Sequence, residues 1–158
     1  MNLDLYSDRA KQAIQSAQSL ALARRHQQFA PEHLLKVLLE ERDGLARNLI
    51  TAAGGDAAKA EAATETALKK RAQVSGGSGQ LYLDGDTARV FATAEAASKA
   101  AGDAFVTTER LLAALATEGG VAAEVLKSCG VTARALDAAV VDLRKGKTAD
   151  SAGAEDAY

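Results

Sequence analysis

The chain has 158 residues, enough for one domain with a sizeable hydrophobic interior but short for two independent ones. An apolar share of 47% and a charged share of 25% suit a soluble globular protein, and a net charge of −2 supplies no basic field for a phosphate backbone. With 4% aromatic residues and no Trp, stacking surfaces for bases or sugars are poorly supplied, so nucleic-acid binding is disfavoured.

From the N-terminus, Ser7 is placed to cap a helix starting near Asp8, whose buried stripe is Ala10, Ala13, Ile14, Ala17 and Ala21. The same segment, MNLDLYSDRAKQAI, has early acidic residues and no apolar h-region, and no run of about 18 apolar residues occurs anywhere in the chain, so neither export nor membrane insertion is expected. Pro31 suits the first position of a second helix with Leu34, Leu35, Leu38 and Leu39 on its apolar face. A third helix carries Leu45, Ala46, Leu49, Ile50 and Ala53 and closes at Gly54. Asp56 caps a fourth, through Ala60, Ala63, Ala67 and Leu68 to about Arg71, alanine-rich and expected at the surface. The stretch QVSGGSGQ then reads as a loose connector.

The second half repeats the first. QFAPEHLLKVL (Gln28 to Leu38) returns seventy-seven residues later as FVTTERLLAAL (Phe105 to Leu115), with Asp84 opposite Ser7, Val90 and Phe91 opposite Ala13 and Ile14, and Ala94 opposite Ala17. Gly102 ends a long helix, and Thr107 is a good side-chain cap for the next, where its counterpart Ala30 is not. After a one-residue deletion, Gly120, Val125, Leu126 and Gly130 match Gly44, Leu49, Ile50 and Gly54; Thr132 then caps a last helix with Leu136, Ala139, Val140 and Leu143. This is an all-α design of two four-helix units, about 1–71 and 84–145, joined by a connector over 72–83. Units of about 65 residues bury too little surface for a large stability margin, so they are expected to pack about a pseudo-twofold axis with a groove between them.

Reactive chemistry finds little support. KGKT (Lys145 to Thr148) shares its tail with phosphate-binding loops, but Val141 stands where the first glycine belongs and a helix precedes it instead of a strand. The bland reading is a helix end carrying the favourable cations Arg144 and Lys145. His26 and His33 lie in no HExxH pattern and lack third and fourth ligands, so no metal is expected. Cys129, the only cysteine, allows no internal disulfide, fits a reducing cytoplasm, and reads as a packing residue because no Cys-His arrangement accompanies it. No cofactor and no catalytic residue are expected.

PEHLLKVLLEE and TTERLLAALATEGG, each followed by a glycine-terminated helix, resemble the Clp repeat domain at the N-terminus of Hsp100 unfoldases. LYSDRAKQAIQSAQSLALARRHQQFAPEHLL, LYLDGDTARVF and the ending SAGAEDAY resemble its ClpB branch in particular, which makes residues 146–158 a link toward an ATPase module. The resemblance covers essentially the whole chain. It implies a non-enzymatic, cytoplasmic module that engages unfolded or aggregated polypeptides and passes them to a hexameric ATP-driven ring, ATP and magnesium belonging to that ring alone. In the protease-associated relatives the same module would instead dock a folded adaptor. By match to the family, Ser7, Asp103 and Glu109 are associated with substrate engagement, the acids selecting basic clients, and Phe91, Leu111 and Leu112 are candidates for the apolar groove.

Overall fold

The computed structural model describes residues 2–41, 44–74 and 80–158. These form eight α-helices: α1 (Asp8–Ala23), α2 (Pro31–Glu40), α3 (Leu45–Ala52), α4 (Ala57–Lys69), α5 (Gly85–Ala100), α6 (Thr108–Glu118), α7 (Val121–Ser128) and α8 (Ala133–Arg144). Two short strands, β1 (Gln28–Phe29) and β2 (Tyr82–Leu83), complete them. The expected connector over 72–83 is described only at its edges, since 75–79 lie outside the described residues. No helix among the described residues is long and apolar enough to cross a membrane.

Several caps act as expected: Ser7 Oγ accepts from Ala10 N–H (3.2 Å), Asp56 Oδ1 from Lys59 N–H (3.1 Å) and Thr132 Oγ1 from Ala135 N–H (3.1 Å). Thr107 does not cap α6 with its side chain; its hydroxyl oxygen accepts from Arg144 Nη2 instead (3.1 Å). Ala30 has no side-chain acceptor, but the turn is closed from the other side, because His33 Nδ1 accepts from the Ala30 N–H (3.0 Å). The surface placement of α4 holds for one face only, since Ala57, Ala60, Thr64 and Leu68 are buried.

The duplication is visible in the pairing. β1 and β2 are parallel, with Phe29 opposite Leu83, and seventy-seven residues away on each side an isolated parallel bridge joins Val106 to Tyr6. Likewise α3 packs on α8 as α7 packs on α4. Each repeat therefore lends the other the segment before its first helix, and one continuous core joins Ile14, Leu34, Leu35 and Ile50 to Phe91, Leu111, Leu112 and Leu126. Two-residue strands carry no periodicity, which is why sequence reading misses them.

The α3–α4 and α7–α8 turns meet. Gly54 and Gly130 hold φ of 89° and 88°, a left-handed closure that glycine adopts without strain, and the Asp56 N–H donates to the Cys129 carbonyl (3.1 Å). A Cβ on Gly55 would collide with Val131 and sit 3.1 Å from Ile50 Cγ2. Gly55→Ala is expected to cost about 1–3 kcal/mol through overpacking, measurable as a lowered urea midpoint at unchanged slope.

Candidate functional site

The polar candidates converge where α6 begins. Asp103, in the α5–α6 loop, and Glu109, in the first turn of α6, both have fully buried side chains. Arg144, on the last turn of α8, reaches between them with only 6% of its side chain exposed. Its Nη1 and Nη2 donate to the two Asp103 oxygens (2.8 and 2.9 Å), and its Nε donates to Glu109 Oε2 (3.2 Å). Arg110 Nε adds a second cation on Asp103 (3.3 Å). Burial alone would raise the Asp103 pKa, but the Arg144 hydrogen bonds, the Ala149 N–H and Arg110 hold it below its ordinary value. Burial likewise opposes the Arg144 charge, and Asp103 and Glu109 outweigh it, so the guanidinium stays charged throughout.

Residues 146–158, expected as a link leading away, lie against this cluster. The Ala149 carbonyl accepts from the Ala104 and Phe105 N–H groups (2.9 and 3.1 Å), and its own N–H donates to Asp103 Oδ1 (3.0 Å). Ser7 donates through Oγ to Glu155 Oε2 (2.6 Å), which also accepts from the Thr108 N–H (3.0 Å). The Tyr158 ring centre lies 5.4 Å from the Arg144 guanidinium carbon, a cation–π distance. Ser7, Asp103 and Glu109 are thus brought into one region, yet neither acid is open to an incoming basic chain, because each is buried and committed to arginine.

The apolar candidates go elsewhere. Phe91 is 3% exposed and Leu111 and Leu112 are 0% exposed, all within the shared core, so they wall no accessible groove. Their helical spacing marks an inward face, and inward here means the contact between repeats. An accessible apolar furrow lies along α3 and α8, about 560 Å³ in volume, between Leu45, Leu49 and Ala52 on one side and Ala138, Ala139 and Leu143 on the other. Tyr158 also lines it, which joins the furrow to the polar cluster.

Sequence reasoning takes Arg144 as a helix-end cation and so misses its buried role. A usable signal exists: repeat one also ends its last helix near an arginine, Arg71, which pairs with Glu32, the counterpart of Glu109, at 3.0 Å. The two histidines are the repeat-one counterparts of Asp103 and Arg110, and they too meet in space, His26 Nδ1 lying 2.8 Å from His33 Nε2. Repeat two fills that position with an ion pair, repeat one with a buried neutral pair.

A family model described as the Clp repeat (R) N-terminal domain matches residues 5–129. Curated relatives include the chaperone protein ClpB of Mesorhizobium japonicum and that of Agrobacterium fabrum, each 54% identical over 159 aligned residues covering all of this chain. The chain spans 18% of either relative's length. Among solved structures, the Hsp104 N-terminal domain from Candida albicans superposes with a TM-score of 0.85 at 19% identity, covering 94% of this chain and 97% of that one. The N-terminal domain of the ClpV1 ATPase from E. coli superposes with a TM-score of 0.73 at 20% identity, over 86% and 83%. These two show the fold. With a family match over most of its length and relatives of that identity across all of it, the chain belongs to the Clp repeat N-terminal domain family, in the branch of the ClpB-type Hsp100 chaperones.

Proposed function

We propose that this domain is a non-enzymatic client-binding module, taking exposed apolar segments of unfolded or aggregated polypeptides into the α3–α8 furrow and presenting them to the ATP-driven ring of a longer, disaggregase-type protein. The observation that carries this reading is an apolar furrow at the seam of the two repeats, built from both and open to solvent. Open and lined by leucines and small alanines, it accepts side chains of many shapes, which suits a tolerant binder. Ordering an unfolded chain offsets much of the apolar gain, so single-site affinity is expected to be micromolar or weaker, and several copies around one ring would restore avidity.

Ala138 is exposed on the furrow wall, so a charge there changes the surface without disturbing the core. Ala138→Glu is expected to weaken binding of an unfolded client about tenfold while moving stability by no more than about 0.5 kcal/mol. Amide-shift titration with several unrelated unfolded clients checks the placement. Shifts clustered on Asn48, Ala52 and Ala138 support the proposal; shifts from a single folded partner alone indicate adaptor docking; silence of these resonances with every unfolded client removes it.

A further inference from the structure

Residues 149–158 form a strap anchored by backbone hydrogen bonds at Ala149 and Ala152, by the Arg144–Tyr158 contact, and by one buried charge. Ala149 is buried, the Ala152 carbonyl accepts from the Asp8 N–H (2.8 Å), and Glu155, 3% exposed, sits between the N-termini of α1 and α6. There Glu155 Oε2 takes both the Ser7 hydroxyl and the Thr108 N–H, while Oε1 is buried with no hydrogen-bond partner among the described residues. Two helix starts thus converge on one carboxylate, each contributing the positive end of its dipole, and Arg9 stands beside it on Asp156 at 2.6 Å. Glu155 Oε1 and the Tyr158 hydroxyl are both buried without a hydrogen-bond partner among the described residues, so two of the strap's anchors are incompletely satisfied, and small side chains such as Ala149 and Ala154 add little apolar burial.

The strap also lies between two openings. Tyr158 lines the α3–α8 furrow, whereas Arg9 and Thr108 line a second cleft of about 350 Å³ along α1 and α2. Leu45 lines both. A polypeptide seated in the furrow would contact Tyr158, and displacing Tyr158 would pull on Glu155 three residues before it.

We infer that the notch between Ser7 and Thr108 is a carboxylate-binding subsite, filled by Glu155 in the free domain and taken over by an acidic side chain of the bound polypeptide. This rests on the client-binding reading and gives its ligand a chemistry: apolar segments carrying Asp or Glu, the opposite of the basic clients that the acidic residues suggest in sequence. Glu155 acts as a competing internal ligand, so apparent affinity is reduced by the fraction of time the strap is closed.

The test uses the 158-residue chain and two dye-labelled peptides, a leucine-rich one with a single Glu and its Gln twin. Glu155→Gln is expected to tighten binding of the Glu peptide about five- to tenfold and of the Gln twin less than about twofold. An unlabelled peptide of the strap's own sequence, ADSAGAEDAY, then competes with the Glu peptide on the variant, and its Glu-to-Gln version does not. The wild-type chain gives a readout that does not depend on the variant's folding: the Glu peptide shifts the Thr108 and Ala10 amides, and the Gln twin leaves them in place. If both twins bind, but equally, and the substitution favours neither, Glu155 is only a cap and the inference falls while client binding stands. If neither twin binds either protein, the client-binding reading has failed and takes the inference with it.

Discussion

Replacing Arg144 by Ala is expected to lower the unfolding free energy by about 3–5 kcal/mol, read as a shift of the urea midpoint at constant slope. The size follows from what the substitution leaves behind. Asp103 and Glu109 have side chains wholly out of solvent, and among the described residues Glu109 Oε1 already has no hydrogen-bond partner. Without the guanidinium, Asp103 keeps Arg110 and the Ala149 N–H, but Glu109 keeps no cation, and an uncompensated buried carboxylate is among the most costly defects a fold can carry. Arg144→Lys restores the charge but not the two parallel bonds to Asp103, so an intermediate loss of about 1–2 kcal/mol is expected. Arg9→Ala provides the contrast. Its ion pair with Asp156 is 45% and 69% exposed, and its loss is expected to move stability by no more than about 0.5 kcal/mol. Arg144→Ala unfolding within about 1 kcal/mol of wild type would show that the buried network is not holding α8 to α6.

Part of this arrangement could be read before any coordinates. The leucine and alanine stripes at helical spacing, the caps at Ser7, Asp56 and Thr132, and the offset of the two halves locate the helices and imply that their apolar faces meet. Burial was the harder quantity. Periodicity says that Phe91, Leu111 and Leu112 face inward, but not that inward is the sealed core instead of the rim, because both environments select the same residue types. Ala52, Ala135, Ala138 and Ala139 share the furrow wall with leucines of the helical stripes, and neither residue type marks a binding surface apart from core packing. Arg144 is hard to read for a related reason: an arginine at a helix end satisfies a local rule through the dipole, and nothing local distinguishes that from a side chain reaching buried acids on another helix. The strap was least legible. SAGAEDAY has the small and acidic composition of a linker, and its docking depends on two helix starts that only the tertiary fold brings together.

Acidification from about pH 6.5 to about pH 4 is expected to remove on the order of 3 kcal/mol of stability through His33, with His26 adding in the same direction. Because His33 Nδ1 accepts from the Ala30 N–H, the ring proton of the neutral form sits on Nε2 and is donated to His26 Nδ1, 2.8 Å away. Both rings are buried and neutral. A proton added to His26 Nδ1 would set two donors face to face, in a region that also holds Arg71 and Arg24. Burial first, then His26 and Arg71, lowers the His33 pKa from 6.5 to about 4, and burial first, then Arg71 and Arg24, lowers that of His26. Between those two values the unfolded chain binds a proton that the folded chain refuses, so stability is full above about pH 6.5 and falls as the pH drops toward about 4. Glu65, held to about 2 chiefly by its hydrogen bond from Arg24, costs stability as the pH falls below its ordinary value of 4.5 toward about 2, so the histidine response is read between about pH 6.5 and about pH 4.5. The double variant His26→Asp, His33→Arg copies the Asp103–Arg110 pair of the other repeat and is expected to be nearly flat across that window. Parallel stability profiles for variant and wild type, or a His33 ring titrating near its ordinary value by NMR, would assign the acid response to other groups. A clear difference between the profiles would mean that the two repeats keep one architecture while differing in their response to acid, because two matched positions carry imidazoles in one and an ion pair in the other.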